Sequence, residues 1–155
     1  MEAVVETIAE LFREAHRQMR ADVEGLDGAA LDWTPGPETS SIATLVIHSM
    51  GSEAEVLRVV RRLPSDRVRQ AEFERRVEDS AELLKQIDAT AALLEESAAA
   101  ITASDLGELR PRGDRRPRTG LYWLLRSLAH VREHLAHLEL TKQLYEQRYE
   151  QPAGR

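Results

Sequence analysis

Three of the five histidines fall in one short segment, AHVREHLAHLE, as His130, His134 and His137. Imidazole is the commonest side-chain metal ligand and a near-neutral acid–base group. On a helix turning about 100° per residue these three side chains share one face within roughly 60°. The pair His130 and His134 stands one turn apart and can grip a single ion. Trp123, Ser127, Thr141 and Tyr145 share that face. The same spacing also suits histidines hydrogen-bonded at the edge of a core, so spacing alone leaves both readings open. Three better-known chemistries fail. HVREH has the letters of an inverted zinc-protease motif, but that fold needs a far longer chain, and Glu133 would point off the histidine face. A ferritin-like di-iron site needs Glu-x-x-His on two helices, and no Glu here has His three residues later. No nucleophile-elbow motif is present.

The elements that must position these groups are helical. Apolar residues recur at spacings of three and four in four stretches, and no strand signal is visible. The first stretch, about 2–24, carries Val5, Ile8, Phe12, His16, Met19 and Val23 on one stripe and stops at Gly25. The second starts at the N-cap candidates Thr39–Ser41 and ends before Pro64, with Glu53 inside its apolar arc and His48 at the arc's edge. The third runs over about 77–102 and the fourth over about 119–149. A Trp–Pro connector, LDGAALDWTPGPETSS, joins the first two. A polar crossover, LPSDRVRQAEFERRV, and an arginine-rich loop, LGELRPRGDRRPRTG, join the others. The expected architecture is all-α, a four-helix bundle with long crossover connections. It forms one domain over 1–150, with a frayed tail at 151–155.

Composition narrows the function. With 155 residues, 42% hydrophobic and 31% charged, the chain can hold one real core. Zero cysteines exclude disulfides, zinc fingers, iron–sulfur ligation and a cysteine nucleophile. A net charge of −6 disfavours a general nucleic-acid or anionic-membrane binder. No apolar run is long enough to span a membrane. The N-terminus lacks the basic start and apolar block of a signal peptide, so the expected location is cytoplasmic.

Three segments together resemble the DinB-like (YfiT-like) family of small bacterial metal-binding bundles. LDWTPGPETSSIATLVIHSMGSE is similar to the family's Trp–Pro connector, the Ser-Ile start of the next helix, a ligand His and an acid five residues on. EFERRVEDSAELLKQID resembles its crossover and third helix, and SLAHVREHLAHLELTKQL its closing H-x-x-x-H-x-G-Q element. Carried over residue by residue, the resemblance implies His48, His130 and His134 as ligands of one divalent metal ion. Zinc or nickel suits them first, and iron or manganese next. Ala136 stands where the family often has Gly, and His137 where it often has Gln, so His137 is not counted as a ligand. The resemblance further implies an up-down-down-up bundle and assembly as a homodimer. It also implies metal-dependent chemistry, since characterised relatives include bacillithiol S-transferases and a mycothiol-dependent maleylpyruvate isomerase.

The leading expectation is therefore a metal-dependent transferase joining a low-molecular-weight thiol to a small electrophile, with the thiol a cosubstrate because the chain has none. The alternatives are a catalytically silent, stress-related metal-binding protein and a hydrolase using bound water. In that topology His48 lies in the half of the bundle near Trp33, and the arginine loop at the end away from the metal. Arg110, Arg112, Arg115, Arg116 and Arg118 are then expected to be a solvated loop with no nucleic-acid role. His16 is expected to line the metal cavity without ligating. Glu53 is expected to be a buried network residue meeting an Arg or a Tyr. Trp33 and His137 are counted with His16 and Glu53 as candidate residues lining the metal cavity or supporting it, the plainer reading of Trp33 being a lid packed on a bundle end.

Overall fold

A computed structural model describes residues 2–150, so the tail expected at 151–155 lies outside the described residues. Four long helices carry the fold: α1 (Ala3–Val23), α3 (Ile42–Val60), α5 (Ser80–Ala100) and α7 (Gly120–Tyr149). Short helices α2 (Gly28–Asp32), α4 (Arg69–Glu74) and α6 (Ala103–Gly107) punctuate the connections. Side-chain caps set most of the starts. Asp27 accepts from Ala30 N–H, Ser41 from Thr44 N–H, Asp79 from Ala81 N–H and Thr119 from Tyr122 N–H. Thr102 and Asp105 cap each other reciprocally at α6. Each cap satisfies an amide that the helix itself leaves unbonded.

Side-chain pairings give the direction of every long helix. Arg13 pairs with Glu95, and Arg20 with Asp88, so α1 and α5 are antiparallel. Gln86 donates to Ile47 C=O while Arg61 reaches Glu96, so α3 and α5 are parallel. His48 meets His130 and His134, whereas Val60 at the end of α3 lies against Gly120 at the start of α7, so these two are antiparallel. The order is up-down-down-up. α1 and α3 each pack against both α5 and α7, and so face one another across the core. Phe12, Met19, Leu31, Met50, Leu57, Leu83, Ile87 and Leu138 are fully buried there, each contributing about 1.5–3 kcal/mol.

The arginine-rich segment departs from the all-helical expectation. It forms an antiparallel hairpin of β1 (Leu109–Arg112) and β2 (Arg115–Thr119), turning through Gly113 and Asp114. Gly113 adopts φ +57°, as a two-residue hairpin turn requires. Its side chains are not simply solvated. Arg110 is 2% exposed. It donates to Val60 C=O at 3.0 Å and to Asp105 at 2.9 Å, and its own carbonyl accepts from Trp123 Nε1 at 2.9 Å. The segment escapes the periodicity test because arginines, not β-branched residues, fill both strands.

His16 and Glu53 meet in the core. Glu53 is 1% exposed, and its Oε2 lies 2.8 Å from His16 Nε2. The partner is a histidine rather than the expected Arg or Tyr, because α1 faces α3 at this level. Burial raises the Glu53 pKa, against the opposing pull of His16. Beyond its bond to Glu53, His16 borders a surface cleft with Arg13, Arg17, Arg20 and Asp88. It does not line the metal cavity described below. Replacing either His16 or Glu53 with Leu strands the other polar group, and is expected to lower the unfolding free energy by about 1–3 kcal/mol. The double Leu variant should recover part of that loss. Denaturant titration of the three variants, with metal content measured alongside and expected to stay unchanged, checks both points.

Candidate metal centre

α7 presents His130 and His134 one turn apart, and their Nε2 atoms face each other at 3.0 Å. α3 presents His48 from the opposite side, its ring centroid 5.0 Å from that of His130 and 5.2 Å from that of His134. One nitrogen from each of the three lies within 4.8 Å of the others. Nitrogens bound tetrahedrally to one zinc ion stand about 3.3 Å apart, so small rotations complete the set.

His48 is held in register from behind. Its Nδ1 donates to Glu72 Oε1 at 3.0 Å, which leaves the Nε2 lone pair free to ligate. Glu72 sits on α4, in the polar crossover, and is gripped two-pronged by Arg67 Nε and Nη2 at 2.9 and 2.8 Å. Gly51 makes this approach possible, since a Cβ there would lie 2.0 Å from Glu72 Oε2. Phe73 packs on the His48 ring at 5.0 Å.

The imidazoles are poised as neutral ligands. Burial, then the neighbouring His134 and His48, push His130 down to about 3. Burial also lowers His48, and burial followed by His48 and His137 lowers His134. The Nδ1 atoms of His130 and His134 are buried without a hydrogen-bond partner among the described residues. Three neutral imidazoles clustered together, with no carboxylate in the cluster among the described residues, fit a divalent cation of intermediate softness.

His48 and His130 open onto a cavity of about 270 Å³. Ser52, Glu55, Arg67 and Arg69 line it from the α3 side and the crossover, Arg112–Arg115 from the hairpin, and Arg126 and Ser127 from α7. The expectation that the arginine loop lies away from the metal is thus overturned. The hairpin springs from the far end of the bundle but folds back along α3. Arg112 then donates to Glu55 at 2.6 Å and to Ser52 at 3.3 Å, one turn from His48.

His137 lies 5.8 Å from His134, ring to ring, and is exposed outside the three-nitrogen cluster. Trp33 packs edge-on against Tyr145 and Tyr149 at the bundle end. That is about 22 Å along α7 from His130, so Trp33 is a lid on the end and not a cavity residue. Glu72, Arg67 and Glu55 escaped the sequence reading. They carry no fixed spacing to the histidines, and only the packing of the crossover on α3 brings them together.

Removing the His134 imidazole should abolish stoichiometric zinc or nickel binding, read as metal per chain after gel filtration of His134→Ala. Glu72→Gln and Gly51→Ala leave the ligands in place but loosen His48. Each is expected to weaken metal affinity by about 10–100-fold in competition with a chelator. In the metal-free protein the unfolded chain takes up protons near pH 6.5 that folded His130 refuses until about 3. The unfolded state therefore binds more protons throughout that window, and stability should fall as pH drops through it. Melting temperatures in chelator between pH 8 and pH 4 test the sign.

Comparison with known proteins agrees with this architecture. A conserved protein from Enterococcus faecalis superimposes with a TM-score of 0.77 at 16% identity, over 93% of this chain and 98% of that one. A DinB-like protein of Bacillus subtilis, YjoA, superimposes with a TM-score of 0.69 at 15% identity, over 90% and 92%. At these identities the likeness is one of fold. No curated protein matches the chain. The family model described as the DinB superfamily matches residues 11–138, a span that contains all three clustered histidines, and the chain belongs to that superfamily.

Proposed function

We propose that this protein is a divalent-metal-dependent transferase that joins a low-molecular-weight thiol to a small electrophile. One observation carries the reading: the three imidazoles cluster within 4.8 Å, and two of them, His48 and His130, line an open cavity instead of a closed core. Three protein ligands leave coordination positions for exogenous groups, the arrangement of catalytic rather than structural sites. The absence of cysteine from the chain means that any thiol arrives as a cosubstrate.

When bound by His48, His130 and His134, the metal ion supplies a positive charge that lowers the pKa of a coordinated thiol or water. The remaining work falls to the chain. Glu72 and Arg67 keep His48 in one tautomer and orientation. Leu138, Val131 and Met50 are buried in the core behind the site and exclude water from that side. Ser127 lines the cavity one turn before His130, and its Oγ has no hydrogen-bond partner among the described residues. It can donate to, or accept from, a bound substrate. Glu55 is held below its usual pKa because Arg112 and Arg67 outweigh the effect of burial. It is therefore a fixed anion anchoring the wall, not a proton donor.

The test is calorimetric titration of bacillithiol into zinc-loaded protein. Saturable binding is expected, with a heat that varies with the ionisation enthalpy of the buffer because the thiol gives up its proton. The His134→Ala variant should weaken it at least tenfold. A metal-loaded protein that binds no thiol would point instead to a catalytically silent metal-binding protein or to hydrolysis by bound water.

A further inference from the structure

The cavity beside the histidines is far more basic than the chain that contains it. Arg67, Arg69, Arg112, Arg115 and Arg126 line it against two carboxylates, Glu55 and Asp114, in a protein of net charge −6. The arginines divide into two sets. Arg67 and Arg112 are structural, sharing Glu55 between them, with Arg67 also on Glu72 and Arg112 stacked over Trp123 at 5.4 Å. The side chains of Arg115 and Arg126 make no ion pair and no hydrogen bond among the described residues. Arg69 has only the ring of Phe73, at 5.0 Å. Three guanidinium groups thus face one concave space with their donors unspent.

We propose that this cavity binds the carboxylate or phosphate group of a small anionic substrate, with Arg115 from the hairpin and Arg126 from α7 as the binding residues. Guanidinium forks match both oxyanions bidentately. The two arginines approach from different elements, so an anion between them bridges the hairpin tip to α7. Ser127 adds a hydroxyl on the same wall, one residue along α7 from Arg126. The volume, about 270 Å³, is at the small end for ligand sites and suits a compact metabolite, not a polymer. The anionic group would hold the molecule with its remaining atoms directed at His48 and His130, which line the same cavity. This inference rests on reading the cavity as the place of reaction, and it names the charge class of what enters.

The test is calorimetric titration of the full-length protein with malonate and, separately, with inorganic phosphate, first after metal removal by chelator and then zinc-loaded. Using metal-free protein keeps the arginines' contribution apart from any anion binding to the metal. Saturable one-to-one binding of at least one anion is expected in both states. Tighter malonate binding would assign a carboxylate substrate, and tighter phosphate binding a phosphate ester. Arg115→Gln and Arg126→Gln should each weaken binding tenfold or more without lowering the melting temperature, because neither residue has a partner to lose. Arg116→Gln removes the same charge from the same hairpin, but outside the cavity, and should change affinity less than twofold. No saturable binding of either anion, or a loss in Arg116→Gln equal to that in Arg126→Gln, would overturn the proposal. Thiol binding by zinc-loaded protein can succeed or fail independently of this result, so failure of one reading is distinguishable from failure of the other.

Discussion

One carboxylate oxygen, Glu55 Oε2, accepts from Arg67 Nη1 at 2.9 Å and from Arg112 Nη2 at 2.6 Å. Through it the middle of α3 holds two segments that have little other reason to lie where they do. Arg67 belongs to the polar crossover and carries Glu72 to His48. Arg112 belongs to the hairpin and carries its tip over the cavity. Neither segment has an apolar stripe long enough to dock by hydrophobic burial alone. An ion pair of this kind adds little when exposed, and when half-buried it is costly to break because the charge left behind is desolvated and unpaired. Here it converts α3 from a core helix into the spine of a site. Loss of Glu55 would leave two desolvated guanidinium groups facing each other, a larger penalty than losing either arginine.

The same helix reconciles two opposed demands. On its core side α3 buries Ile42, Met50, Leu57 and Val60, which fixes its rotation. On its outer side that rotation aims His48, Ser52 and Glu55 into one row at helical spacing. The aliphatic core therefore sets the geometry of the polar row without touching it. Burial acts a second time on the imidazoles, keeping them uncharged so that their lone pairs stay available. Stability and ligand readiness share one cause, the removal of water from the groove between α3 and α7.

Much of this was legible from residue spacing. The four long helices follow from apolar periodicity, and their observed limits, Ala3–Val23, Ile42–Val60, Ser80–Ala100 and Gly120–Tyr149, sit within a few residues of the expected ones. The pairing of His130 with His134 follows from the i, i+4 rule. The approach of His48 needed the family resemblance, because no local pattern on α3 indicates which helix it will face. His16 shows where spacing misleads. It points inward as its stripe requires, but a helix face says nothing about which neighbour meets it, and here the neighbour is Glu53 and not the metal groove. The hairpin shows the complementary failure. Its Gly113–Asp114 turn is a recognisable two-residue hairpin signal, but the flanking strands lack apolar alternation because arginines fill them, Arg110 and Arg112 held by ion pairs. Interactions specified by charge across long sequence separations, such as Arg112 with Glu55, leave no periodic trace.

The division of labour between helices and connections has a consequence for how such a site can diversify. A guanidinium group cannot sit in the aliphatic centre of a four-helix bundle without a buried counter-charge, so arginines that face a ligand must come from the edges. This chain places four of its five cavity arginines on connections, Arg67 and Arg69 on the crossover and its short helix, and Arg112 and Arg115 on the hairpin. The three clustered histidines, by contrast, sit on α3 and α7, where core packing fixes them. Substitutions in the connections can then change the charge and shape of the cavity while leaving the three histidines and the core untouched. A bundle built this way can keep one frame of histidines while its connections vary the cavity beside them, so membership of the fold by itself names no substrate.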